Sequence, residues 1–361
     1  MNVSGQKDLD LLARNPVIGS ILGTAVGDAL GLPYEGLSRR RALHLFGPPD
    51  RHRFLFGRGM VSDDTEHTCM VAQSLIASAG RVDLFQSQLS WRFRMWLLGL
   101  PAGIGLATLR AIHRLWIGTG PQNSGVFSAG NGPAMRAAIL GATIDDEESL
   151  RELVAASTRI THTDPKAEYG AFAVALAAQM ARRGKPVDAD IYGDQLLSAL
   201  PKEAAEFISL IDKAVSFARE GRSTESFADA LGLSTGVSGY VYHSVPVAIH
   251  AWLANQLDFR SAITSVIQCG GDADSTAAIV GGIVGSAVGK QGIPPEWIDG
   301  LCDWPRTVLW MEQLGAQLDG VAKSHAAQHP IELPLSCSFP RNLLFMVVVL
   351  FHGFRRLFPP Y

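Results

Sequence analysis

The chain of 361 residues is 47% hydrophobic and 18% charged, with a mean hydropathy of +0.14, which is enough apolar material for a sizeable buried core. A net charge of −3 and the lack of any long basic run exclude a nucleic-acid surface of the electrostatic kind, while leaving room for a nucleotide-sized ligand. Cys69, Cys269, Cys302 and Cys337 show no CxxC spacing and the first residues are polar, without a basic-then-apolar leader, so a reducing cytoplasm is the expected setting.

Helical periodicity dominates and β-alternation is hard to find, which predicts an all-α fold, a compact helical bundle in one domain. Residues 16–32 open with Pro16 and place Gly19, Gly23, Gly27 and Gly31 four apart, on one face of a single helix. Asp28 lies on that helix and Glu35 just past its end. Both are candidates to orient a ligand or move a proton, with capping or plain exposure as the other explanation. The cluster Ser62-Asp63-Asp64-Thr65 follows, adjacent carboxylates between hydroxyls. Further helices are expected at about 65–79, 83–98, 103–116, 133–140, 146–158, 165–183, 190–199, 203–219, 223–230, 245–254, 258–267 and 306–318.

Three loops between these helices carry recognition chemistry. Residues 118–132 are rich in glycine and small polar residues and lead into Pro133, so backbone N–H groups and a helix start can cradle an anion; a plain connection would read the same way. In Thr161-His162-Thr163-Asp164-Pro165, Asp164 suits a helix cap and His162 its rim. In Gly239–Pro246, Tyr240 or Tyr242 can stack on a base or fill the core.

The run Gly270-Gly271-Asp272-Ala273-Asp274-Ser275-Thr276 repeats the acidic design and continues into Ala277, Gly281, Gly285 and Gly289, again four apart. The two small-residue stripes predict a central helix pair in close backbone contact that holds both acidic clusters at its ends. Residues 330–361 read as an appendage to a domain spanning 1–329: an extended stretch from Pro330 to Pro340, then a buried apolar helix around Leu343–Phe351, too short a run to span a bilayer. The flanking Arg341, His352, Arg355 and Arg356 leave a monotopic membrane contact as the alternative.

Brought together, four carboxylates and their neighbouring hydroxyls suit Mg²⁺ or Mn²⁺ rather than zinc, and that much negative charge favours two ions over one. Capping competes with this reading, since Asp and Ser both cap helices. The second cluster is not an EF-hand, because Ala277 stands where the loop needs Gly and Ile283 where it needs Glu. A haloacid-dehalogenase type of paired-Asp motif would end an early strand, whereas this one is late and opens a helix.

Gly23-Thr-Ala-Val-Gly-Asp-Ala-Leu-Gly31, Ser62-Asp-Asp-Thr65, Ser128-Ala-Gly-Asn-Gly132, Thr161-His-Thr-Asp-Pro165 and Gly270-Gly-Asp-Ala-Asp-Ser275, taken in this order, resemble the ADP-ribosylglycohydrolase family. The resemblance implies a binuclear Mg²⁺ or Mn²⁺ centre, with Ser62, Asp63 and Asp64 as one ligand group and Asp272, Asp274 and Ser275 as the other. The family usually has Thr where Ser62 and Ser275 stand; Ser keeps the oxygen but loses the methyl that restricts its rotamer. Gly130, Asn131 and Gly132 match a diphosphate-binding loop and His162 a histidine near the ribose, while Glu35 matches an acid used in only some members. The implied reaction is metal-assisted hydrolysis at the ribose anomeric carbon of an ADP-ribosylated protein, arginine-linked foremost, with Asp63 or Glu35 assisting proton transfer. A free ADP-ribose derivative or nucleoside is the alternative substrate. Blocking of a partner ADP-ribosyltransferase through residues 1–15 or the 330–361 tail is a role of another class; the full ligand sets favour catalysis.

Overall fold

The computed structural model describes residues 14–358. Among these the regular elements are all helices, and β-structure is limited to isolated bridges between loops. The first helix, Pro16–Gly31, starts at Asn15, whose side-chain oxygen accepts from the N–H groups of Val17 and Ile18 at 2.9 and 3.0 Å, as a helix start requires. It runs antiparallel to Ala273–Val288 through the middle of the core, and both are buried almost throughout.

The glycines set how close these two helices lie. A Cβ on Gly19, Gly23 or Gly27 would stand 2.1 Å from the carbonyl oxygen of Gly285, Gly281 or Ala277, and one on Gly31 2.4 Å from that of Ala273. Only backbone fits between them, so the central pair expected from the two stripes is present. The other helices wrap this pair. Ser286 donates to the Ala178 carbonyl at 3.2 Å, tying the second glycine helix to Pro165–Ala181, and Gly315 on Val308–Ser324 packs against Ile18 on the first.

Several boundaries differ from expectation. The helix expected over 133–140 is two short ones, Gly132–Met135 and Ala138–Thr143, separated at Arg136 (φ −107°, ψ 9°). The helix expected from 245 begins at Val241, because Pro246 within it costs a single backbone hydrogen bond. The one expected from 277 begins at Ala273, which puts Asp274 and Ser275 in its first turn. Arg39–Phe46 and Pro295–Asp299 are helices with no counterpart in the sequence reading.

The C-terminal segment departs most. Leu335–Arg355 forms one helix with Pro340 inside it, so the extended stretch stops at Pro334. Nor is this helix buried: one stripe, Ser338, Arg341, Asn342, Phe345, Val348 and His352, faces the body, while Leu343, Val347, Leu350, Phe351 and Phe354 are exposed. Polar contacts fasten the stripe. Arg341 pairs with Asp303 at 2.5 Å, Asn342 donates to the Gly99 carbonyl at 2.8 Å, and His352 Nε2 lies 2.7 Å from the Phe54 carbonyl oxygen. By length and composition two described segments could cross a membrane; 16–34 is 94% buried core, but only 28% of the C-terminal one is covered. Of the 1–15 segment expected as an alternative partner contact, residues 1–13 lie outside the described residues.

Gly23→Val should destabilise the protein by about 3 kcal/mol or more in urea denaturation, since neither backbone can yield to the added carbons. Gly320→Ala, in an exposed helix position with no atom within 4 Å of the added carbon, should instead stabilise it by roughly 1 kcal/mol.

Candidate active site

The last turn of the first glycine helix organises both acidic clusters. Its Asp28 Oδ2 accepts from the Ser62 N–H at 2.8 Å, the Thr65 N–H at 3.2 Å and the Thr65 hydroxyl at 2.5 Å, clamping the start of the Asp63–Ser78 helix. At the end of the same helix, Gly31 abuts Ala273 and Asp274. Asp64 then joins the two motifs: its Oδ2 accepts from the Ser62 hydroxyl at 3.0 Å and from the Ser275 hydroxyl, 211 residues along the chain, at 3.4 Å.

The loop before the second cluster is stitched down by its backbone. Gly271 forms bridges to both Leu37 and Val237. Gly270 and Gly271 hold φ of +68° and +79°, and a Cβ on Gly271 would come within 1.9 Å of the Val237 carbonyl oxygen, so only glycine serves there. Opposite, Val126 bridges to His162 and Gly130 to Tyr240. The two walls enclose a cavity of about 560 Å³ lined by Glu35, Asp63, Asp272, Asp274 and Ser275 on one side and Gly130, Asn131, Gly132 and His162 on the other, a size suited to a small-molecule ligand.

The electrostatics are one-sided. Burial, reinforced by neighbouring carboxylates, pushes Asp63, Asp64 and Asp274 well above the usual Asp range. Burial also raises Asp28 to about 6. Glu35, exposed where it lines the cavity, is raised by partial desolvation there and by the Asp272 charge, with Arg356 opposing. His162 is pushed down to about 3 by burial and the Arg136 charge, so it is neutral; its Nδ1 lies 2.9 Å from the Thr161 hydroxyl.

The unused oxygens of these residues suit a hard divalent cation. Asp28 Oδ1, Asp64 Oδ1 and Asp274 Oδ1 are buried with no hydrogen-bond partner, and the donors are carboxylates and hydroxyls, the chemistry Mg²⁺ and Mn²⁺ prefer. Among the described residues, however, the acidic side chains do not draw together into a finished set of three or more ligands. The donor set fits such an ion.

Three expected substrate contacts have other partners. Asp28 is fully buried, absent from the cavity wall, and acts as the clamp described above. Tyr240 does not line the cavity either; its hydroxyl accepts from Lys166 Nζ at 2.9 Å and its ring leans on Tyr242. Asn131 does line it, but its side-chain amide donates to Asp272 Oδ2 at 2.6 Å and its N–H to the Gly239 carbonyl at 2.9 Å, so it braces the acidic cluster. Gly130, Gly132 and His162 stay together: a Cβ on either glycine would lie 3.1 Å from the histidine ring.

Arg136 is the functional residue that sequence reasoning missed. Fully buried beneath the glycine loop, it donates to the Gly132 carbonyl at 2.9 Å, the Ser157 carbonyl at 3.0 Å and the Thr161 hydroxyl at 2.8 Å. A lone arginine in an otherwise apolar run, Pro133-Ala-Met-Arg-Ala-Ala-Ile139, was the available signal. The 103–108 segment, which also lines the cavity, carries no such mark.

Residues 9–328 match the family model described as ADP-ribosylglycohydrolase. The chain belongs to the ADP-ribosylglycohydrolase family. It is 28% identical over 297 residues to the ADP-ribosyl-(dinitrogen reductase) glycohydrolase of Rhodospirillum rubrum, covering 79% of this chain and 89% of that one. It is 28% identical over 311 residues to the ADP-ribosylarginine hydrolase Tri1 of Serratia proteamaculans, covering 82% and 78%. A solved ADP-ribosylglycohydrolase-related protein complex superposes with a TM-score of 0.59 at 26% identity, over 86% of this chain and 99% of that one. This ADP-ribosylglycohydrolase is therefore an enzyme that hydrolyses a glycosidic bond.

Arg136→Met should destabilise the fold by about 3 kcal/mol, because it strips several buried acceptors of their donor. Hydrogen exchange should rise at residues 130–132 and 161–163 ahead of the rest of the core.

Proposed function

We propose that this enzyme removes ADP-ribose from modified protein side chains, arginine foremost, by hydrolysis at the ribose anomeric carbon. The carrying observation is that two acidic motifs from distant parts of the chain meet on one wall of a cavity whose other wall holds the Gly130–Gly132 loop and a neutral His162. The arginine linkage is favoured by the relatives, one an ADP-ribosylarginine hydrolase.

In this reading Ser62, Asp63 and Asp64 hold one divalent cation and Asp272, Asp274 and Ser275 a second, Mg²⁺ or Mn²⁺. Bound there, such ions supply Lewis acidity and a lowered pKa for water. Glu35 and Asp63 both reach the cavity, and Glu35 holds its proton more tightly than an ordinary carboxyl. Glu35 can give that proton to the departing guanidinium nitrogen as the bond to the anomeric carbon breaks, and Asp63, deprotonated as a ligand, can take the proton of the attacking water. Neutral His162, anchored through Nδ1, offers its remaining nitrogen to a ribose hydroxyl without adding charge. Ser128 and the Gly130–Gly132 loop line the place for the diphosphate.

The test is release of ADP-ribose from arginine-linked and serine-linked protein, with Mg²⁺ or Mn²⁺ and with EDTA. Release from the arginine-linked substrate should need the cation, and Asp274→Ala should lower it by about 1,000-fold or more. Release from neither substrate under any condition would overturn the protein-linked reading and direct the assay to a free O-acyl-ADP-ribose.

Cation binding should also be visible without substrate. Carboxyls with raised pKa values, such as Asp28 at about 6 against an ordinary 3.8, stabilise the fold below the ordinary value, and that contribution is lost as pH rises through the folded one. A cation takes the deprotonated form, so the gain in thermal midpoint over EDTA should grow from about pH 5.5 to about pH 8. The difference is the quantity to read, because buried neutral histidines such as His162 shift bare stability the other way.

A further inference from the structure

We infer that the C-terminal helix and two flanking turns form a docking face for an anionic lipid bilayer, with the helix lying in the plane of the membrane. This goes beyond the hydrolase reading and does not depend on it.

The face is assembled from three separate segments. The helix Leu335–Arg355 turns Leu343, Leu344, Val347, Leu350, Phe351 and Phe354 outward. Beside it, Phe54 stacks on His352 at 5.1 Å and meets Phe345 with tilted rings at 5.2 Å, which sets the Leu55–Arg58 turn against the helix. At the tip of that turn Phe56 is 100% exposed in left-handed backbone, φ +49°. A third point follows from the Asn342 contact with Gly99: the next residue, Leu100, is 62% exposed, again in left-handed backbone at φ +52°. Two large apolar side chains are thus held out at positions where such residues are rare, both next to the same apolar helix.

Charge identifies the occupant. Residues 51–61, 96–109 and 333–358 contain no Asp or Glu, although the chain as a whole carries −3. Exposed Arg58 follows Phe56, exposed Arg355 closes the helix, and the adjoining Arg356 is half-buried. An apolar surface whose own segments carry arginines and no carboxylates, with Glu35 reached only by the half-buried Arg356, complements anionic headgroups over acyl chains. Its shape agrees. The helix is attached by one narrow stripe and so stands out as a ridge flanked by two projecting turns, a relief that a fluid interface accepts more readily than the packed core of a protein interface does.

The helix cannot leave the body to span the bilayer without exposing what its stripe covers. Arg341 is buried against Asp303 and Glu66, and crossing would draw the Arg341 charge into hydrocarbon and take it from both carboxylates. Lying flat leaves them in place. Arg356 also donates to the Pro33 carbonyl at 3.1 Å, two residues before Glu35, so the docked helix end would sit close to the rim of the cavity.

The test is flotation of the full chain with vesicles of phosphatidylcholine alone and of phosphatidylcholine with phosphatidylserine. The chain should float with the anionic vesicles more than with the neutral ones. The triple variant Phe56→Ser, Val347→Ser, Phe351→Ser should lower the bound fraction at least about tenfold with an unchanged thermal midpoint. Should the triple variant fail to fold, Phe56→Ser alone, at a fully exposed tip, should still weaken flotation. No flotation with either vesicle, or flotation insensitive to these substitutions, would overturn the inference. A dimer in sedimentation that the same substitutions dissolve, without vesicle binding, would overturn it in favour of a second copy of the chain.

Discussion

Backbone packed directly on backbone, along the seam where Gly19, Gly23, Gly27 and Gly31 meet Ala273, Ala277, Gly281 and Gly285, is the constraint on which the rest of this structure depends. Glycine lowers helix propensity at every one of its positions, and the isolated Pro16–Gly31 segment has little reason to be a helix. What it gains is an approach that side chains would forbid, with dispersion contacts along the whole seam. Because the pair is antiparallel and in fixed register, the end of one helix necessarily meets the start of the other. Asp28, Glu35 and Asp272–Ser275 come together through that register.

The site so formed stores electrostatic cost. Carboxylates are held in a place that disfavours charge, so burial first and then neighbouring carboxylates, Asp28 among them in each case, raise Asp63, Asp64 and Asp274. Cohesion comes from neutral donors instead: Thr65 and the Ser62 and Thr65 amides on Asp28, the Ser62 and Ser275 hydroxyls on Asp64, and the Asn131 amide on Asp272. None of these cancels the charge. A protein that keeps so many acidic groups buried, some with oxygens unused, gives up stability at a place where function needs local negative potential. On the facing wall the arrangement is inverted. Arg136 is buried with neutral acceptors and, together with burial, keeps His162 uncharged.

The C-terminal helix lies beyond the 9–328 span that matches the family, yet it is joined to the segments that carry the acidic motifs. Arg341 reaches the Val61 carbonyl at 2.5 Å, immediately before the first acidic motif, and Asp303, which accepts from the Val61 N–H at 3.0 Å. Glu66, one turn into the Asp63–Ser78 helix, is shared by Arg306 and Arg341. A buried network of this kind adds little net stability but strongly penalises misplacement. It keeps the helix in one position while leaving most of its apolar surface outside.

By itself the sequence determined the all-helical class, the glycine-striped pair, the two acidic motifs and the Gly130–Gly132 and His162 loops. Each is a local signal: a period of four, a pair of adjacent carboxylates, a cap residue before a proline. It did not determine which way a polar side chain would turn once buried. Asp28 looked like a ligand contact and became a clamp, because two backbone N–H groups and a hydroxyl had no other acceptor. Asn131 turned to Asp272 and Tyr240 to Lys166. Arg136, with no motif around it, became the support of the loop. Hydropathy likewise indicated that the C-terminal helix was apolar but not which neighbours it would find, and the body offers it one narrow stripe. Periodicity and composition are written residue by residue, whereas partner choice for a buried polar group or an apolar face depends on which distant segments arrive beside it, and that is decided only when the chain has packed.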